Sequence, residues 1–69
     1  MTKVDVTFKL ARDLSDQDFE NISRIHAVYG IFAARVQPSG DELFVEYDAA
    51  RLSPLEVRGT LEEHGLPLA

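Results

Sequence analysis

The order in which the apolar period switches along this chain is what most constrains its fold. Val4, Val6, Phe8 and Leu10 alternate with Asp5, Thr7 and Lys9, the period-two signature of a half-buried strand. A polar break follows, Ala11-Arg12-Asp13-Leu14-Ser15. Ser15 with Asp18 three residues on resembles a capping box with Asp in place of Glu. Asp16, Asp18 and Glu20 crowd the first turn, where the helix dipole favours negative charge. Phe19, Ile22, Ile25 and Val28 then recur at intervals of three, with Tyr29 on the same side, and predict an apolar helix face. Gly30 is placed to end this helix, which is expected over residues 16–28.

Phe32, Ala34 and Val36 predict a second strand, and Leu43, Val45 and Tyr47 a third. Between them Gln37-Pro38-Ser39-Gly40-Asp41 has the residues of a tight turn. If Gln37 faces Glu42, Val36 meets Leu43 and Ala34 meets Val45 on one face, with Arg35 beside Phe44 on the other. The second helix has the clearest local signal: Ser53-Pro54-Leu55-Glu56 is a capping box with Pro at the first helical position. Leu52 and Val57 can staple its entry. Val57 and Leu61 form its buried stripe, His64 lies on the same side, and Gly65 stops it. Gly59 in mid-helix costs about 1 kcal/mol against Ala and points to close packing there. The expected fold is α+β: a three-stranded antiparallel sheet with two helices on one face.

Sixty-nine residues suit one domain over positions 1–69. The absence of cysteine excludes disulfides, thiolate metal sites, iron–sulfur clusters and cysteine nucleophiles, and favours a reducing compartment, the cytoplasm. Charges arrive too early for a secretory leader. The longest apolar run, Ile31-Phe32-Ala33-Ala34, is far short of the ~20 residues of a membrane span. A net charge of −5 without a basic stripe disfavours nucleic acid and permits a basic protein partner.

Taken in order, Val28-Tyr29-Gly30-Ile31, Ala34 and Val36, Leu43-Phe44-Val45-Glu46-Tyr47-Asp48 and the stretch from Ser53 to Gly65 resemble a heavy-metal-associated domain. The resemblance implies a ferredoxin-like βαββα sandwich with a fourth strand beside the first. It also implies a family role of holding copper, zinc or a similar soft ion and passing it on. That role uses a Met-x-Cys-x-x-Cys loop between the first strand and first helix. Here the corresponding positions are Leu14 and Gln17, or Ser15 and Asp18, and none is a soft ligand. No cofactor and no soft metal are therefore expected. The tail Leu66-Pro67-Leu68-Ala69 is too short for a full fourth strand and contains Pro67, which cannot donate a ladder bond, so the fourth strand is expected to be short or missing.

The remaining candidates each have a plainer reading beside the functional one. Asp13, Asp16, Asp18 and His64 should lie at one end of the molecule and could hold a hard ion such as Zn²⁺. The plainer reading is that they complement helix ends. His26, at the other end, has no nucleophile placed against it, and catalysis lacks a constellation. Phe44, with Arg35 and Thr7 near it on the sheet face away from the helices, is either a partner-binding spot or one exposed aromatic stacked on an arginine. The expected function is a non-enzymatic binding module, engaged in protein interaction or regulation, with metal binding or transport through Asp and His ligands as the alternative. The uncovered edge of the first strand is the expected contact, with a protein partner or a second copy.

Overall fold

A computed structural model describes residues 2–69. The elements run β1 (Lys3–Lys9), α1 (Asp16–Ile25), β2 (Ile31–Val36), β3 (Glu42–Asp48) and α2 (Pro54–Glu63). The sheet order is β1-β3-β2, antiparallel throughout. Ile22 and Ile25 of α1 and Val57 and Leu61 of α2 join Ala34, Leu43, Val45 and Tyr47 in one buried cluster, so both helices cover the same sheet face.

The hairpin has the expected register: Val36 pairs with Leu43, Arg35 with Phe44 and Ala34 with Val45. Gln37 N–H donates to the Glu42 carbonyl at 2.9 Å, and Gly40 takes the positive φ (82°) that closes the turn. Beyond Ala33 the register slips by one, with Ile31 opposite Tyr47 and Ala33 opposite Glu46. Phe32 is the extra residue of this bulge and is turned outward, 38% exposed, while Ile31 is buried in its place. The expected inward Phe32 is thus corrected.

Helix α1 ends at Ile25, three residues before the expected stop. Ala27 and Val28 donate to the carbonyls of Arg24 and Ile25, so tightened turns carry the chain to Gly30 at φ 96°. Its buried face is also rotated from expectation: Asp18, Ile22 and Ile25 are buried, whereas Phe19 is 50% and Tyr29 74% exposed. A spacing of three drifts by about 60° per step at 100° per residue, so positions 19, 22, 25 and 28 fan over half the helix and cannot all face the core.

Around Gly59 a Cβ would meet nothing within 4 Å, so close packing does not explain that glycine. The tail forms a single bridge, Leu68 opposite Leu10, with Ala69 N–H to the Lys9 carbonyl (2.8 Å) and Ala11 N–H to the Pro67 carbonyl (2.7 Å). Leu66 is buried. This short cover stands where a fourth strand would lie.

Candidate functional site

The loop from β1 to α1 is organised around one carboxylate. Ser15 caps α1: its Oγ accepts the Asp18 N–H at 3.3 Å, and its own N–H donates to Asp18 Oδ2 at 2.8 Å. Ser15 Oγ also lies 3.0 Å from that oxygen as a donor. Arg12 reaches across the loop with Nη1 2.7 Å from Asp18 Oδ2 and Nη2 3.4 Å from Oδ1. A second Nη1 bond, to the Asp13 carbonyl at 2.9 Å, fixes the guanidinium against the loop backbone. The Asp18 side chain is 4% exposed and Arg12 54%. Arg12 and the Ser15 donors hold the Asp18 carboxyl at a pKa of about 2, well below the ordinary 3.8, against the opposing effect of burial. The pair is charge-assisted, and three of the carboxylate's four donors converge on Oδ2, so the charge of this buried acid is matched from within the chain.

The other proposed hard ligands do not converge on it. Asp13 and Asp16 are exposed. His64 caps α2 and sets Nδ1 2.8 Å from the Thr60 carbonyl of its own last turn. Among the described residues there is no group of three or more His, Asp or Glu side chains arranged to hold a metal ion. Arg12 was legible only as part of a polar break. An arginine three residues before a helix cap, facing an acid three residues after it, is the signal that could have marked it.

Thr7, Phe44 and Arg35 do come together. They occupy one row across β1, β3 and β2, through the pairs Thr7–Phe44 and Arg35–Phe44. The Arg35 guanidinium lies over the Phe44 ring, 4.7 Å from its centroid, a contact worth ~0.5–1 kcal/mol at an exposed site.

At the opposite end an open cleft is lined by His26, Tyr29, Phe32, Asp48 and Arg51. Three of its polar side chains, those of His26, Asp48 and Arg51, have partners within the chain. His26 is exposed, and its Nε2 accepts the Ala34 N–H at 3.0 Å, satisfying one donor on the outer edge of β2. Asp48 is buried and accepts from the N–H groups of Ala50 (3.0 Å) and Thr2 (3.2 Å), which lower its pKa. Arg51 stacks on Tyr29 at 4.3 Å.

No protein-family model matches the chain, and no curated protein matches it. Solved structures do. Oxidized MerP from Ralstonia metallidurans CH34 matches with a TM-score of 0.74 at 19% identity, over 99% of this chain and 96% of that one. Apo-CopP from Helicobacter pylori matches with 0.76 at 16%, over 96% and 100%. The N-terminal domain of a potential copper-translocating P-type ATPase from Bacillus subtilis, solved in its Cu(I)-loaded state, matches with 0.72 at 19%, over 99% and 85%. At these identities the likeness establishes the fold. The chain has the ferredoxin-like fold expected from its resemblance to heavy-metal-associated domains, and it lacks the two cysteines of their motif.

Proposed function

We propose that this chain is a non-enzymatic, cytoplasmic binding module of heavy-metal-associated type that acts through protein contacts rather than by carrying a soft ion. The observation that carries this reading is the β1–α1 loop. At Ser15 and Asp18, one of the two registers for the thiolates, stand a helix cap and a buried carboxylate, and the cation beside them is Arg12 of the chain itself. A loop organised by its own ion pair needs no bound metal to hold its shape. Two carboxylate oxygens and a hydroxyl are also poor partners for Cu(I). The row Thr7, Phe44 and Arg35 and the edge of β1 are the surfaces this reading assigns to a partner.

The test is competition for copper. The chain is titrated into a chromogenic Cu(I)–chelator complex under reducing, anaerobic conditions. The complex is expected to keep its colour at many equivalents of protein, and stoichiometric withdrawal of copper would sink the reading. The second reading, a metal-carrying module with oxygen and nitrogen ligands, is favoured by one observation, that its fold-mates include a Cu(I)-loaded domain. Zinc titration followed by calorimetry separates the two. A one-to-one isotherm lost on His64→Ala supports the second, and a flat trace supports the first.

A further inference from the structure

The two backbone edges of β1 are not alike. Antiparallel pairing directs alternate residues to alternate sides. Leu10 N–H bonds to the Asp41 carbonyl and the Thr2 carbonyl accepts from Ala49, so the even-numbered residues turn toward β3. Lys9 and Ala11 bond instead to the tail, so the odd-numbered residues turn outward. Lys3, Asp5 and Thr7 therefore present their N–H and C=O groups on the outer edge, with no backbone partner among the described residues. Along the same stretch Val4, Val6 and Phe8, which face the helices, are only half-buried, although they pack against the core. The edge thus lacks two things that one object supplies: ladder partners at alternate positions and apolar side chains between them.

We propose that this edge takes up an extended segment of another protein, running antiparallel to β1 as a continuation of the tail's direction. This deepens the protein-interaction reading above and rests on it. The register defines the segment's chemistry. Residues opposite Val4 and Val6 are apolar and face the helices. On the outer face an acid suits the place opposite Lys3 and a base the place opposite Asp5. Read in the partner's direction, the complement of Thr7 to Lys3 is Thr-Val-Lys-Val-Glu.

A second copy of the chain is the poorer occupant. A symmetric pair of β1 strands centred on Thr7 or on Val6 requires the Lys9 edge, which the tail already covers through Ala69. Centred on Asp5, it sets two like carboxylates opposite one another. Centred on Val4, it has a ladder of only three residues.

The probe is the peptide acetyl-Ser-Thr-Val-Lys-Val-Glu-Ser-amide, added to the full chain during amide exchange read by NMR. Without peptide, Asp5 and Thr7 amides are expected to exchange fast and the β3-paired Val6 and Phe8 amides slowly. Saturating peptide is expected to slow Asp5 and Thr7 at least ~10-fold, while sedimentation equilibrium shows a monomer at every concentration. Thr7→Pro removes a donor that the free chain does not use, and should abolish the effect with the circular dichroism intact. If that variant unfolds, a charge exchange replaces it: Asp5→Lys should lose the peptide, and a peptide with Glu in place of Lys should restore it. Unchanged exchange with peptide would overturn the proposal, as would slow Asp5 and Thr7 exchange in the free monomer. Protection that rises with protein concentration alone would also overturn it, by making a second copy the occupant. None of these outcomes bears on copper competition, so the edge can fail while the metal-free reading stands.

Discussion

Both helices begin with the same local device, and the chain uses the two copies differently. Ser15 with Asp18 and Ser53 with Glu56 are each complete capping boxes, with the serine oxygen accepting from the third helical N–H and the acid accepting from the serine N–H. At α2 the box is exposed and ends there, with Glu56 Oε1 3.1 Å from the Ser53 nitrogen. At α1 the acid is shorter, buried and gripped a second time by Arg12. The α2 box serves one helix terminus. The α1 box ties a helix terminus and the preceding loop to a single carboxylate, at one of the two registers that the resemblance to heavy-metal-associated domains gives for a thiolate motif. A motif that looks equivalent in sequence has become tertiary at one site and stayed local at the other.

The largest expected effect comes from removing the shared carboxylate. Asp18→Ala leaves Arg12 and the Ser15 N–H without their acceptor, and should lower Tm by roughly 10 °C, whereas Glu56→Ala should lower it by a few degrees at most. Equal losses in differential scanning calorimetry would break the comparison. The serines sharpen it at smaller scale. Ser53→Ala should cost about 1 kcal/mol, an ordinary cap, and Ser15→Ala more, because its hydroxyl both accepts from and donates to Asp18. Urea denaturation of the two variants gives the difference directly.

Acid should separate the two boxes as well. The folded pKa of Asp18, about 2, lies below its ordinary value of 3.8. Its charged form therefore adds stability that is complete above the unfolded value of about 4 and disappears as pH falls through about 2. In Asp18→Asn, stability should fall less between those pH values than in the parent chain. Parallel curves would show that the acid transition belongs to other carboxyls. The smallest effect is a gain: Gly59→Ala, on an α2 position with open space around it, should stabilise by about 0.5–1 kcal/mol. A loss there would mean that α2 is constrained by more than its local sequence.

The parts of the fold legible in the sequence are those fixed by short-range chemistry. The hairpin register followed from turn length and alternation, and α2 from its cap, its proline and Gly65. The roll of α1 was not legible, because apolar residues at intervals of three point to no single face. The core took Ile22 and Ile25 from the expected row but Asp18 in place of Phe19, and left Tyr29 outside. The bulge at Phe32 was hidden too, since an extra residue in a strand leaves no mark in composition. Of the candidate site, the acids and His64 were visible as residues. What they do depended on Arg12, whose partner lies across a loop whose path only the folded chain defines.

That partnership is also the most exposed part of the account. Carbon-detected NMR titration of the Asp18 side-chain carboxyl, from pH 6 to below 2, reads it at the atom concerned, with the backbone amide spectrum recorded alongside to follow the fold. A midpoint near 2 is expected in the parent chain, moving up toward the ordinary carboxylate range in Arg12→Ala. A midpoint already in the ordinary range, unmoved by loss of Arg12, would contradict the claim that the loop is held by its own ion pair.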